Sequence, residues 1–183
     1  MNIQETTAIL RILKLTYPQF YKGMSLSDAT ETIELWTMMF ENDNAKIVTE
    51  AVKSMIVTLK YPPTIADIKE KISIIMDPDT MSELEAWGKV RSAISYYNAK
   101  DNFDKLEPFL QKLVGSANQL REWGMMDAEI INSVIQSNFM RSYKFKLKQD
   151  KEYKALPSST KNLISELSEK MKMLENKNNY LQK

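Results

Sequence analysis

Pro62 and Pro63 fall in the middle of a long run of helical-period apolar residues and divide it in two. A proline has no amide proton to donate, and its ring collides with the preceding turn. The amphipathic run Ile47/Val48, Ala51/Val52, Met55/Ile56 and Leu59 is therefore read as one helix over about residues 45–60, stopped at Tyr61. Thr64 then stands where an N-cap belongs, and Asp67, three residues on, is placed to close a capping box. Ile65, Ile68, Ile72 and Ile75 continue at helical spacing, so a second helix starts at once.

The segments on either side obey the same grammar. A helix over about residues 4–15, with Ala8, Ile9, Ile12, Leu13 and Leu15 as its buried stripe, ends at Tyr17-Pro18, and Phe20 and Tyr21 are expected to anchor the connection. Ser25 or Ser27 caps a helix over about 28–41, in which Ile33, Trp36 and Phe40 share a face. Pro78 closes the fourth helix, and Thr80 with Glu83 is expected to cap the next. Beyond it, Leu84, Trp87, Val90 and Ile94 recur at helical spacing, and a long helix opens after Asp127. Trp87, Trp123 and Phe139 read as core.

With four glycines, little valine and no alternating apolar–polar run bounded by hairpin turns, the chain is expected to be all-α. The expected parts are an N-terminal four-helix bundle (1–76), a second helical module ending in a long basic helix (77–156) and a C-terminal amphipathic, coiled-coil-like helix (157–183).

Composition also narrows the chemistry. There is no cysteine and no histidine, which removes disulfides, thiolate ligands and nucleophiles, the commonest general base and most transition-metal sites. The four glycines are isolated and form no phosphate-binding loop. The expectation is a protein without catalytic residues, cofactor or metal. Residues 1–5 lack the basic-then-apolar pattern of a signal peptide. No stretch approaches the 18 uncharged apolar residues of a membrane span, so a soluble, cytoplasmic protein without membrane contact is expected.

Charge is near zero in total but uneven. Residues 76–140 hold six Lys/Arg against ten Asp/Glu, whereas residues 141–156 hold six against two. Within that basic stretch, Arg141, Lys144, Lys146 and Lys148 are interleaved with Tyr143 and Phe145. Cations for phosphates and flat rings for bases suit a single-strand binder; contact with an acidic protein surface would use the same residues. A solvated helix end whose Phe145 and Leu147 reach back to the core is the plainer reading.

After Pro157, the residues Ile164, Leu167, Met171, Leu174, Asn178 and Leu181 recur at alternating intervals of three and four. This is a heptad seam, with Asn178 at an a position if Ile164 is one. A seam of roughly three heptads is marginal in isolation. Ile164, Leu167, Met171, Leu174 and Leu181 are therefore expected to bind a partner: the chain's own domain, a second copy, or a groove on another protein.

Residues 2–76, with the helical segment Ile33–Phe40 and the motif Tyr-Pro-Pro-Thr-Ile-Ala-Asp-Ile at 61–68, resemble the N-terminal domain of the phage helicase loader/inhibitor family. The order Glu-Ala-Trp, Leu-Glu-Pro-Phe-Leu and Ser-Asn-Phe-Met-Arg-Ser-Tyr in the middle is similar to a module of phage replication and helicase-loading proteins. The resemblance implies an adaptor that binds a bacterial-type, DnaB-family hexameric replicative helicase, restrains it and loads it at the phage origin, in the cytoplasm of the infected host. Delivery implies a second partner such as an origin-binding initiator. In that family the C-terminal region grips the helicase; this chain differs by inserting residues 81–156 ahead of its tail. The alternatives are a single-stranded-DNA-binding replication accessory protein centred on residues 141–154, and an inhibitor of the host helicase loader.

Overall fold

The computed structural model describes residues 1–181, with side chains through Leu174. The described residues are helical and contain no strand, so the fold is all-α. They form two compact units: Met1–Pro78 together with Tyr153–Lys183, and Asp79–Glu152.

The first unit begins with α1 (Ile3–Thr16), α2 (Leu26–Met39), α3 (Ala45–Ile56) and α4 (Ile65–Met76). α1 packs on α2 and α3, and α3 packs on α4. Ile9, Leu13, Trp36, Phe40, Val48, Val52 and Ile68 fill the core between them. Thr6 is the buried polar residue of this core; its hydroxyl donates to the Asn2 carbonyl at 2.9 Å and accepts from Thr37 at 3.0 Å, so it carries no unmet hydrogen bond. Ala8 and Leu15 do not belong to the buried stripe of α1. Both are exposed, because the inward line is Thr6, Ile9 and Leu13.

Caps define the helix starts. Asn2, Ser25 and Thr64 each close a capping box, with Glu5, Asp28 and Asp67 respectively. The box at Thr64 lies where the prolines of the sequence place it. α3 ends at Ile56, a turn before the expected stop, and the Leu59 carbonyl is taken by the Tyr17 hydroxyl at 3.1 Å. The hydroxyl and amide of Thr64 both donate to Asp67, at 2.6 and 2.8 Å, and hold its carboxyl below the usual carboxylate range. A carboxyl depressed in the folded state stabilises fully above its unfolded value, and the contribution is lost as pH falls through the folded value. Thr64→Ala is expected to lower stability by about 1 kcal/mol at neutral pH. Urea melts at neutral pH and in acid check this, the difference between variant and parent shrinking in acid.

The turn between α2 and α3, residues 40–44, gathers the unit. The Met1 amino group donates to the carbonyls of Phe40, Glu41 and Asp43 at 2.7, 3.0 and 3.2 Å, placing positive charge where the α2 dipole is negative. From α4, Lys69 reaches Asp43 at 2.6 Å and lies 4.9 Å over the Phe40 ring. α11 (Ser158–Leu181) is tied to the same turn: the Ser158 amide donates to Glu41 at 2.6 Å and its hydroxyl lies 2.8 Å from the Asn42 side-chain oxygen. Ser158 is thus the first residue of α11 and an anchor to the bundle.

The second unit contains α5 (Glu83–Ala93), α6 (Ala99–Asp104), α7 (Pro108–Val114), α8 (Ala117–Trp123), α9 (Ala128–Ile130), a π-helical segment over Ile131–Ile135, and α10 (Gln136–Ala155), which runs across the unit boundary. α5 is capped by Ser82 with Glu85, not by Thr80 with Glu83; the turn after Pro78 runs two residues further than expected. Ser82 holds the Glu85 carboxyl below its ordinary value. Trp87, Val90, Leu110, Leu120 and Phe139 are buried together, and Trp123 packs partly buried against them. At Gly124 a Cβ would meet the backbone of Tyr96 and Ser95 at 2.8 and 2.9 Å, so the close approach of the end of α8 to that segment requires glycine.

Candidate partner-binding surfaces

Buried Pro157 separates α10 from α11. Lys161 then folds back, donating to the Lys154 carbonyl at 2.9 Å and lying 5.9 Å over the Tyr153 ring. Beyond this foot the helix turns its apolar residues to solvent. Ile164, Leu167, Met171 and Leu174 are 42–63 % exposed, and none belongs to either hydrophobic core. Helical spacing places these four on one side. Leu163, also exposed, borders the stripe and widens the apolar surface. The side chains of Asn178 and Leu181 lie outside the described residues.

A soluble helix normally turns such a stripe inward, because burying each large aliphatic side chain is worth about 1.5–3 kcal/mol. One end of α11 is fixed by Ser158 and Lys161, and its apolar side over residues 164–174 is uncovered.

The basic helix divides by its own period. Phe139, Tyr143 and, in part, Leu147 face the core of the second unit, whereas Arg141, Lys144, Phe145, Lys146 and Lys148 are exposed. Tyr143 therefore does not join the contact surface expected of it. It is buried, stacks on Phe139 with ring centres 6.3 Å apart, meets Phe109 edge-on at 5.6 Å, and donates its hydroxyl to the Met81 carbonyl at 2.7 Å. Its four-residue spacing from Phe139 and Leu147 is the sequence signal for this placement. Phe145 does not reach back to the core; it is 60 % exposed. Among the cations, Arg141 is held by the Ser137 carbonyl and the Asn138 side chain, Lys146 donates to Gln149, and Lys148 lies 3.8 Å from Glu152. Tyr143→Phe is expected to cost about 1–2 kcal/mol by leaving the Met81 carbonyl unpaired, read as a lower urea midpoint.

An open depression in the second unit, lined by Glu85, Lys89, Ser92, Asn102, Lys105 and Glu107 among others, carries the remaining concentration of polar groups. Glu85 is engaged by its cap and Glu107 by Lys89, and both carboxyls are held below their ordinary range. Among the described residues no group of carboxylates is placed to hold a metal ion, and no helix is long and apolar enough to cross a membrane.

The first unit thus belongs to the class of small all-α domains built from short, side-chain-capped helices. Within that class, residues 1–69 match the family model for the N-terminal domain of gp39, the phage helicase loader/inhibitor, so the N-terminal bundle is similar to that domain. The match stops within α4; α5 to α11 lie beyond it. No curated protein and no solved structure matches the chain.

Proposed function

We propose that the protein is a phage DNA-replication adaptor: it binds a hexameric replicative helicase of the DnaB family, restrains it and loads it at the origin. The observation that carries this reading is the match of residues 1–69 to the loader/inhibitor N-terminal domain, in one chain with a helix that offers an unburied apolar stripe. The adaptor acts by binding energy, without catalysis or cofactor. The stripe Ile164, Leu167, Met171 and Leu174 lies in an apolar groove of the helicase in the manner of helix-in-groove recognition. The exposed cations Arg141, Lys144, Lys146 and Lys148 lie toward acidic helicase surface and raise the association rate. The N-terminal bundle is the element that meets a second partner such as an origin-binding initiator, and the setting is the cytoplasm of the infected bacterium.

A strand-unwinding assay tests restraint directly. With the hexameric helicase on a forked duplex, equimolar protein is expected to suppress unwinding; unwinding at the uninhibited rate would remove restraint from the account.

One observation favours a second reading. Phe145 is more than half exposed among four exposed cations of α10, a composition that suits a single-stranded-DNA-binding accessory protein. Such a protein would bind isolated strands through α10 and would form no stable complex with the helicase.

A further inference from the structure

Two segments far apart in sequence meet at one end of the N-terminal bundle. The Tyr17 hydroxyl donates to the Leu59 carbonyl, and the Phe20 ring meets the Tyr61 ring edge-on with centres 5.7 Å apart. The loop after α1 and the connection between α3 and α4 therefore form a single surface within one compact unit.

The two segments themselves carry only cations, and the carboxylates that follow them, Asp28 and Asp67, are engaged in the caps of α2 and α4. Residues 6–27 contain Arg11, Lys14 and Lys22, residues 51–66 contain Lys53 and Lys60, and neither stretch contains an Asp or Glu. All nine carboxylates of residues 1–75 lie outside these two stretches. Lys53 is engaged by Glu50 at 2.8 Å, whereas Lys14, Lys22 and Lys60 are exposed and make no ion pair among the described residues. Lys22 and Lys60 stand within two residues of Phe20 and Tyr61 in the chain, so their unpaired charge is available to a polyanion that meets the rings.

The aromatic residues there are unlike those of a core. Phe20 and Tyr61 are 56 % and 68 % exposed, and their planes stand at 89°. They are also positioned in advance. Buried Tyr17 supports Phe20 at 6.5 Å, and Tyr61 precedes Pro62-Pro63, which restricts its backbone to extended conformations. Rings held in place lose little freedom when a ligand stacks on them.

We propose that this end of the bundle is a binding site for single-stranded nucleic acid, with Lys14, Lys22 and Lys60 on phosphates and unpaired bases stacked on Phe20 and Tyr61. Flat rings interleaved with cations are what single-strand binding needs, and bases stacked within a duplex are not available to them. The site uses neither α10 nor α11, so it stands or falls separately from the helicase contact.

Fluorescence anisotropy of the full chain with a labelled oligothymidylate tests it. Three phosphate contacts predict a log–log salt slope near −2, hence a roughly 15-fold loss of affinity between about 50 and 200 mM salt. Phe20→Ala with Tyr61→Ala is expected to weaken binding at least ~10-fold, and Tyr61→Phe, which keeps the ring, to leave it within about twofold of wild type. Glutamine at Lys14, Lys22 and Lys60 should remove most of the salt dependence; these are surface positions, and a thermal melt verifies the fold. Three results would overturn the proposal. One is no binding by the wild-type chain at low salt. Another is binding that survives both bundle variants but is lost with glutamine at Arg141, Lys144, Lys146 and Lys148. The third is displacement of the oligonucleotide by polyglutamate as effective as by unlabelled strand, which would assign the surface to an acidic protein.

Discussion

Aspartate at Leu167, Met171 and Leu174 together is expected to weaken the complex with the hexameric helicase at least ~100-fold, since apolar anchors at an interface centre are each worth about 1–2 kcal/mol or more. The three side chains are 51–63 % exposed in the free protein. Their replacement removes no core contact and should leave stability within about 0.5 kcal/mol of the parent. The helical far-UV signal of residues 1–155 should likewise be unchanged. Loss of binding with a preserved fold is the signature of a docking face. Binding that survives the triple substitution would show that the seam is not the grip.

Phe40→Ala is expected to have the largest effect on stability, about 3–5 kcal/mol. Phe40 is fully buried, its ring lies 5.6 Å from that of Trp36, and Lys69 crosses above it. A natural domain has in total about 5–15 kcal/mol of stability, so the first unit should approach unfolding at room temperature. The backbone at Phe40 also opens the turn to which Met1, Lys69 and Ser158 attach. Denaturant unfolding followed by intrinsic tryptophan fluorescence checks this, Trp36 reporting on the first unit and Trp87 and Trp123 on the second. A loss below about 1 kcal/mol would mean that the turn is held without the ring, contrary to its complete burial.

The helical grammar of this chain is legible because its signals are local. Pro62-Pro63 followed by Thr64 and Asp67 specifies a capped start through covalent geometry and hydrogen bonds within one turn, and the structure has it there, although α3 stops earlier than the prolines require, at Ile56. The cap of α5 is a place where the local rule misleads, since Thr80 with Glu83 is the expected box. Ser82 with Glu85 and Thr80 with Glu83 have the same spacing, and the length of the turn after Pro78 decides between them. The depth of burial of Tyr143 is settled by Phe109 and by the Met81 carbonyl, 62 residues away in the chain. Ser158 opens α11, but its partners are Glu41 and Asn42, which no local pattern connects to it. The basic and aromatic end of the bundle escapes a linear reading for the same reason: Phe20 and Tyr61 become neighbours only when α1 and α3 pack. The heptad spacing of α11, by contrast, is plain in the sequence, and the structure adds that residues 164–174 of it are uncovered.

Size-exclusion chromatography with light scattering of the protein, the hexameric helicase and their mixture, repeated with a chain ending at Leu156, shows whether the last helix is the grip on the helicase. A stable complex is expected for the full chain and none for the shortened one. A complex formed equally well without residues 157–183, or no complex with the full chain, would contradict that grip.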